Sequence, residues 1–308
     1  MDAITDEILH AAEVLRAGGL VAFPTETVYG LGADAADPDA LRRLFAVKGR
    51  PKDHPVIVHV ARAAQLDDLG RDVPEVAHAL ADACWPGPLT LVVRRRADRV
   101  AAEATAGLDT VGIRVPDHPV ARRLLEAFGG GVAAPSANRF GRVSPTTAQH
   151  VRDDLGGDVD VVLDGGPCIV GVESTIVDVT GAAPVVLRVG GIGEDRLAQL
   201  VGAPLARRTG GEVAAPGTFA SHYAPDARVE LVRGDELDAR AGCLRAGGLA
   251  VAVLEAPDDI GEYARILYQR LRELDGRGVD VILAVPPADA GGLGAAVADR
   301  LRRAAAAR

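Results

Sequence analysis

The feature that most limits the fold of this chain is the alternation of helical and strand-like apolar patterns over its first two hundred residues. The stretch 5–19 predicts a helix with Thr5 as N-cap and Gly18 as its end. Short apolar runs predict strands at 20–23, 56–60, 89–93, 111–115, 160–163, 174–179 and 184–189. Further helical patterns lie near 38–47, 73–83, 117–128 and 146–155. This order predicts a layered α/β or α+β domain with a mixed sheet.

The pattern changes after residue 200. Residues 202–227 are rich in glycine, proline and alanine. Their apolar residues follow neither the helical nor the strand period, which predicts a linker. Strand and helix patterns then alternate at 228–232, 236–246, 249–254, 262–275, 279–284 and 294–307. The sequence therefore predicts a first domain at 1–201, a linker at 202–227 and a small α/β domain at 228–308.

The composition is that of a globular protein long enough for two domains, with 308 residues, 48% apolar and 25% charged. We find no signal-peptide pattern and no apolar run of membrane-spanning length, so we expect a cytoplasmic protein without membrane contact. Cys84, Cys168 and Cys243 show neither disulfide nor metal spacing, which favours buried thiols and no metal site.

The net charge of −9 argues against a general nucleic-acid coat, because phosphate binding depends on dense basic residues. A local basic groove stays open as an alternative, since residues 94–96 are three consecutive arginines. A non-catalytic RNA-binding module that uses this run is therefore the competing hypothesis.

Lys48 and Lys52 are the only lysines among the 34 basic residues, and they lie in one loop. A lysine retained in a sequence that otherwise uses arginine indicates a position with a specific requirement. Lys48 lies two residues before Arg50 in a turn bounded by glycine and proline. The strand that follows carries His59, although a lone histidine in an apolar strand is more often a satisfied core residue than a ligand.

Hydroxyl, amide and cationic side chains interrupt several predicted strands and the turns after them. Ser136 and Asn138 follow an apolar strand, and Ser174 and Arg188 lie on strands that otherwise predict burial. Because a buried arginine needs an anionic partner, we expect a cleft for a polyphosphate and a small carboxylate. Its predicted side chains are Lys48, Arg50, Arg114, Arg188, Thr27, Ser136, Ser144 and Ser174.

Other motifs limit which classes of enzyme the sequence supports. Ser144-Pro145 is typical of a helix N-cap with proline at the first helical position, which would explain Ser144 structurally. The chain contains no GxxxxGK[ST] loop and no GxSxG elbow, so neither a P-loop nucleotidase nor a serine hydrolase is supported.

Several stretches in order across residues 10–200 resemble the YrdC-like domain of the threonylcarbamoyl-adenylate synthases: FPTETVYGLGADA, KGRP, HPVIVHV, WPGPLTLVV, TVGIRVPDHPVARRLL, APSANRFGRVSPTT and GVESTIVDV. HYAP (222–225) and GLGAAVADRLRRAA (292–305) are similar to the longer, two-domain members. The resemblance implies a YrdC/RibB-like twisted mixed sheet with flanking helices, followed by a small Rossmann-like α/β domain.

The resemblance also implies the reaction. L-Threonine, bicarbonate and ATP would give threonylcarbamoyl-AMP and pyrophosphate, with Mg²⁺ carried by the ATP. The product would pass to a tRNA threonylcarbamoyl-transferase complex that modifies the adenosine beside the anticodon, with at most a weak tRNA contact by this chain. A related domain in hydrogenase maturation would require zinc-finger and acylphosphatase segments, which this sequence lacks.

Site residues follow from the same motifs. The resemblance assigns catalysis to Lys48, Arg50, Ser136 and Asn138. It assigns L-threonine binding to Thr27, His59, Arg114, Ala134 (by its main chain) and Ser174. It assigns ATP binding to Arg50, His54, Thr110, Ser136, Ser144, Arg188 and Tyr223, and Tyr223 with the linker would form a lid.

Overall fold

The structure, a computed structural model, describes residues 3–208, 223–288 and 291–306. These residues form an N-terminal unit, residues 3–208, and a C-terminal unit, residues 228–288 and 291–306, each built around one sheet. Most of the predicted linker, residues 209–222, lies outside the described part.

The N-terminal sheet is large and mixed. Within the described residues it has eleven strands: β1 (Val21–Phe23), β2 (Gly30–Asp34), β3 (Ile57–His59), β4 (Gly70–Arg71), β5 (Leu89–Arg95), β6 (Thr110–Arg114), β7 (Val132–Ala133), β8 (Val161–Val162), β9 (Thr175–Asp178), β10 (Val185–Arg188) and β11 (Ala206–Arg207). Their order is β11-β10-β9-β5-β6-β3-β7-β2-β1-β8, with β4 beside β5. Strand β3 pairs parallel with β6 and antiparallel with β7, so the predicted mixed sheet is confirmed. Strand β11 lies inside the predicted linker and extends this sheet by one edge strand.

Helices cover the sheet because alternate strand positions are apolar. They are α1 (Ala3–Arg16), α2 (Pro38–Lys48), α3 (Gln65–Leu69), α4 (Glu75–Cys84), α5 (Pro119–Phe128), α6 (Ala148–Leu155) and α7 (Glu194–Val201). Val58, Leu91 and Ile113 are register neighbours on β3, β5 and β6 and belong to the main buried core. Side chains alternate between faces along a strand, so Ile57 and His59 point to the opposite face.

Two predicted helix caps are wrong. Helix α1 begins at Ala3, before Thr5, whose hydroxyl instead lies within hydrogen-bond distance of Arg123. Helix α6 begins after Thr147, and the Thr147 hydroxyl accepts a hydrogen bond from the His150 main chain. Ser144 is therefore not the cap, and its hydroxyl donates to the carboxylate of Glu173 at 2.7 Å.

The C-terminal unit is a small parallel sheet with helices. Its elements are β12 (Arg228–Leu231), α8 (Leu237–Ala246), β13 (Val251–Leu254), α9 (Ile260–Asp275), β14 (Val281–Ala284) and α10 (Gly292–Ala305). The strand order is β12-β14-β13, and both pairings are parallel. The predicted succession of strands and helices is confirmed, as is the apolar face of α9, where Leu267, Leu271 and Leu274 are buried.

An apolar cluster joins the two units. Val143 and Val172 of the N-terminal unit pack in one buried cluster with Leu267, Tyr268 and Leu301 of the C-terminal unit. An ion pair at 2.5 Å between Arg272 of α9 and Asp154 of α6 adds a polar contact. None of the helices in the described residues combines the length and apolar character needed to span a membrane.

Candidate active site

A cleft lies on the face of the N-terminal sheet that His59 and Arg114 share. These two residues are register neighbours at the ends of the parallel strands β3 and β6, so their side chains emerge side by side. Tyr223, the first described residue after the gap at 209–222, also lines the cleft, and the cavity is about 50 Å³.

Nine of the predicted site residues line this cavity: Thr27, Arg50, His59, Arg114, Ala134, Ser136, Ser174, Arg188 and Tyr223. Thr110 lines a smaller neighbouring cavity, and Ile57 lies in the wall of both. Lys48, His54, Asn138 and Ser144 are buried behind the cavity wall. The structure thus brings the predicted residues into one region, in two layers.

Arg114 is held by hydrogen bonds to three oxygen-bearing groups. Its Nη2 donates to Glu26 at 2.5 Å, its Nη1 donates to Thr27 at 2.9 Å, and its Nε donates to the Gly87 oxygen at 3.2 Å. Both members of the Glu26–Arg114 ion pair are buried. Because a guanidinium has five N–H donors, this pattern leaves two of them for a ligand.

Arg188 ends β10 and turns back over Ser174. Its Nε and Nη2 donate to the Ser174 main-chain oxygen at 3.0 and 2.9 Å, and Nη2 also donates to the Ser174 hydroxyl at 3.1 Å. The Ser174 hydroxyl also shares a hydrogen bond with Thr90. Burial lowers the pKa of Arg188, the expected result of removing a cation from water.

Arg50 enters the cleft from the turn after α2. Gly49 ends that helix with φ 64°, a left-handed conformation that glycine adopts without strain. Arg50 then donates to the main-chain oxygens of His54 and Pro55 at 3.4 and 2.9 Å. Burial lowers its pKa to about 10, so the guanidinium keeps its charge at neutral pH. The same turn places the His54 ring 5.6 Å from that of Phe140.

Lys48 supports the loop that carries Ser136 and Asn138. Its Nζ donates to the main-chain oxygens of both residues at 2.5 Å. Burial, with the nearby charge of Arg50, lowers the pKa of Lys48 well below its usual value. The Asn138 amide in turn donates to the Arg139 and Arg142 oxygens. In this structure Lys48 therefore orders the loop from behind, and direct contact with a phosphate stays a prediction.

His59 is buried and neutral. Burial, followed by the charge of Arg114, lowers its pKa to about 3. Its ring lies edge-on to Phe23 at 5.9 Å between centroids. A neutral imidazole beside a guanidinium can orient a polar ligand without adding positive charge.

Sequence reasoning missed four residues of this region: Glu26, Glu173, Tyr268 and Arg300. Glu173 lines the cavity and accepts hydrogen bonds from Tyr268 and Arg300 of the C-terminal unit, both at 2.8 Å. Tyr268 also stacks on Tyr223 with 5.5 Å between ring centroids. The two glutamates lie inside the motifs FPTET and GVEST, so their position next to Thr27 and Ser174 was an available signal.

The arginine run at 94–96 is occupied by intramolecular contacts. Arg94 pairs with Asp109 at 3.4 Å, Arg95 donates to the Val100 oxygen, and Arg96 donates to the Gly70 oxygen. Each arginine of the run therefore has a contact inside the protein, which accounts for the run without an RNA partner.

Carboxylates near the cleft are engaged by arginines. Within the part of the chain that the structure describes, no group of three or more His, Cys, Asp or Glu side chains is placed to hold a metal ion. Glu26 and Glu173 face Arg114 and Arg300, so neither is arranged as a metal ligand.

Two family models match the chain. The model Sua5_yciO_yrdC, described as "Telomere recombination", matches residues 13–190, and the model described as "Threonylcarbamoyl-AMP synthase, C-terminal domain" matches residues 192–306. The threonylcarbamoyl-AMP synthase of Pyrococcus abyssi is 43% identical over 97% of this chain and 94% of its own length. The enzyme of that name from Bacillus subtilis is 40% identical over 98% of this chain and 94% of its own.

A solved structure agrees with these matches. The crystal structure of P. abyssi Sua5 complexed with L-threonine superposes with a TM-score of 0.93 at 41% identity, covering 98% of this chain and 94% of that one. Both units of this chain are therefore covered by a solved protein of the same architecture. With its sequence matched over nearly its full length, the chain belongs to the threonylcarbamoyl-AMP synthase family.

Proposed function

We propose that this protein joins L-threonine, bicarbonate and ATP into threonylcarbamoyl-AMP and releases pyrophosphate. The observation that carries the proposal is the convergence of Arg50, Arg114 and Arg188 on one cavity with hydroxyl groups between them. A carboxylate and a polyphosphate are the ligands that such a set of guanidinium groups recognises best. Membership of the family supports the same reaction.

Arg114 would bind the carboxylate of threonine. Its two remaining N–H donors suit such a group, while Glu26 and Thr27 hold the guanidinium in place. His59, Ser174 and the Ala134 main chain would surround the rest of the amino acid. Held by its carboxylate, threonine can present its neutral amine to bicarbonate. The N–C bond of the carbamate forms as one C–O bond of bicarbonate breaks, and that oxygen leaves as water with one amine proton; with carbon dioxide, the amine proton alone is released.

Arg50 and Arg188 would bind the phosphates of ATP, together with Ser136. The carbamate oxygen attacks the α-phosphorus, the bond from that phosphorus to the bridging oxygen breaks, and pyrophosphate leaves. Negative charge grows on the phosphoryl oxygens during this step, and guanidinium groups already fixed in a buried cleft stabilise it. His54, Thr110, Ser144 and Tyr223 would complete the nucleotide site.

Mg²⁺ would enter with ATP, because the two nearest carboxylates are committed to arginines. The ion would supply further charge neutralisation on the phosphates. Lys48 would keep the Ser136–Asn138 loop in its reactive geometry.

Substrate entry would require the cover of the cleft to move. A cavity of about 50 Å³ is far below the roughly 300 Å³ at which small-molecule sites begin. Tyr223, at φ 61°, holds a left-handed conformation that costs a side-chain-bearing residue about 1–2 kcal/mol. We infer that Tyr223 moves during turnover, so that the labile carbamate is made in a closed site.

The product would be consumed by a tRNA threonylcarbamoyl-transferase complex, with at most a weak contact between this chain and tRNA. Since the reaction uses ATP and supplies a tRNA modification, the proposal includes a cytoplasmic location.

The test is incubation of the pure protein with MgATP, L-threonine and labelled bicarbonate. We expect pyrophosphate release that requires threonine, and labelled threonylcarbamoyl-AMP detected by mass spectrometry. Arg188→Met should abolish both signals, while Arg94→Met, which removes an exposed arginine from the same sheet, should keep them. Pyrophosphate release that does not depend on threonine would refute the proposed function.

A further inference from the structure

Glu173 places a negative charge in the wall of a cleft built to bind anions. Three donors fix its carboxylate: the Ser144 hydroxyl at 2.7 Å on Oε1, and Tyr268 Oη and Arg300 Nε, each at 2.8 Å, on Oε2. Tyr268 lies on α9 and Arg300 on α10. The C-terminal unit therefore determines where this carboxylate points.

Glu173 and Arg188 lie within electrostatic range of each other. Burial has the largest effect on both groups, since it raises the pKa of Glu173 and lowers the pKa of Arg188. The charge of Glu173 raises the pKa of Arg188 again, and the charges of Arg300 and Arg188 lower the pKa of Glu173. The net result is a pKa of about 2 for Glu173. Glu173 is thus an anion at neutral pH, next to a cation that faces the cleft.

The ionic contact of Glu173 is nevertheless made with Arg300. The described hydrogen bonds of Arg188 go to neutral oxygens of Ser174. A buried carboxylate that lost Arg300 would be drawn to the nearest remaining cation, because an uncompensated buried charge is costly. Arg188 is the other cation whose charge acts on Glu173, and it would then be neutralised from within the protein.

Arg300 is suited to hold one geometry. Its side chain is 0% exposed, and besides Glu173 it donates to Asp299 at 2.7 Å and to the Val189 oxygen at 3.1 Å. Its guanidinium carbon lies 5.2 Å from the centroid of the Tyr223 ring. Contacts on several sides of the planar group restrict its rotation.

We propose that Arg300 is a positioning residue for nucleotide binding: it holds the Glu173 carboxylate away from Arg188, so that the charge of Arg188 acts on the phosphates of ATP. The proposal rests on the proposed function for the identity of the nucleotide. It gives the C-terminal unit a part in ATP affinity although none of its described residues lines the cavity.

The experiment measures dissociation constants of MgATP and of L-threonine by titration calorimetry on the full chain, which needs no turnover. Arg300→Met should raise the dissociation constant of MgATP about tenfold, within the usual range of couplings between linked sites, and leave that of threonine within about twofold. The double variant Glu173→Gln/Arg300→Met should restore MgATP affinity to within about twofold of wild type, because glutamine carries no charge to compete for Arg188. Arg240→Met, which breaks an ion pair with Glu230 inside the C-terminal unit, is the control and should change neither constant.

A merely structural role for Arg300 predicts a different result. Both ligands would weaken together, or neither would, and the Gln substitution would not rescue MgATP binding; each of these outcomes overturns the proposal. If Arg300→Met does not fold, Tyr268→Phe removes one donor from Glu173 and keeps the stacked ring. That variant should weaken MgATP about threefold with threonine unchanged, and unchanged MgATP affinity would also overturn the proposal. Absence of threonine-dependent pyrophosphate release by the wild type would count against the proposed function alone.

Discussion

The amino group of Lys48 donates a hydrogen bond to the main-chain oxygen of Asn138, at 2.5 Å and in a fully buried position. It makes the same contact with Ser136, so one small group spans two carbonyls of the loop. A planar guanidinium at this position would be too large for both contacts and would displace the loop.

We therefore expect Lys48→Arg to reduce kcat about 100-fold, as a 1 Å misplacement can, and to change the dissociation constant of MgATP by less than about threefold. Lys52→Arg is the matched control, because Lys52 is exposed on the turn that follows α2 and should tolerate the change. The measurements are pyrophosphate release and calorimetry. Wild-type turnover in Lys48→Arg would show that loop geometry does not depend on Lys48.

The variant Arg114→Lys tests whether threonine and MgATP bind to separate groups of residues. Lysine keeps a positive charge for Glu26, so the buried pair stays compensated, but it cannot also donate to Thr27 and to both oxygens of a carboxylate. The threonine dissociation constant should rise at least about tenfold while that of MgATP stays within about twofold. Arg94→Lys, on the adjacent strand and exposed, should leave both constants unchanged. Equal weakening of both ligands would place Arg114 outside a dedicated threonine site.

Ser144 and Thr147 can be told apart by substitution with alanine. Thr147 caps α6, so Thr147→Ala should lower the free energy of unfolding by about 1 kcal/mol and leave MgATP affinity unchanged. Ser144 donates to Glu173, so Ser144→Ala should lower stability by a similar amount, about 1 kcal/mol, and also weaken MgATP binding. Urea denaturation and calorimetry measure the two effects. A purely stability-related effect of Ser144→Ala would remove Ser144 from the nucleotide site.

His59 makes the folded protein sensitive to acid. Its pKa is about 3 in the folded state, because of burial and then Arg114, against an ordinary value of 6.5. Between these values the unfolded chain binds a proton that the folded protein does not, so stability decreases as pH falls from 6.5 towards 3. From pH 7 to pH 5 this single group should cost about 2 kcal/mol of unfolding free energy.

His59→Gln should remove that part of the pH dependence, measured by urea denaturation at both pH values. His10→Gln replaces an exposed histidine and serves as the control, with the wild-type pH dependence expected. An identical decrease in wild type and His59→Gln would mean that the imidazole is not kept neutral by the fold.

Periodicity was sufficient to predict most of the longer strands and helices, because burial of one face imposes a spacing that the sequence must carry. It did not predict β2, α3, α7 or the two-residue strands β4, β7 and β11. The face of α9 formed by Leu267, Leu271 and Leu274 is an example. Predictions from neighbouring residues, such as helix caps, failed where a residue distant in the sequence bound the side-chain atom instead. Ser144 followed by proline is typical of an N-cap, but its hydroxyl is bound by Glu173, 29 positions away.

In the candidate site, too, sequence motifs predicted some residues, while others depend on contacts between distant parts of the chain. The residues carried by motifs, such as Arg50 and Ser136, come together around one cavity, whereas the chemical roles assigned to them stay predictions. Arg300 could not be predicted, because in the sequence it is indistinguishable from the neighbouring arginines 302 and 303 of an alanine-rich helix. Only its contact with Glu173, 127 positions away, sets it apart.

The cluster that joins the two units limits how this protein can change during evolution. Val143 and Val172 would face water if the C-terminal unit were lost, and Glu173 would lose the cation that compensates it. A descendant that ended after the N-terminal unit would need polar side chains at the valine positions and a neutral residue at position 173. Loss of the C-terminal unit would therefore have to be accompanied by substitutions at these positions of the N-terminal unit.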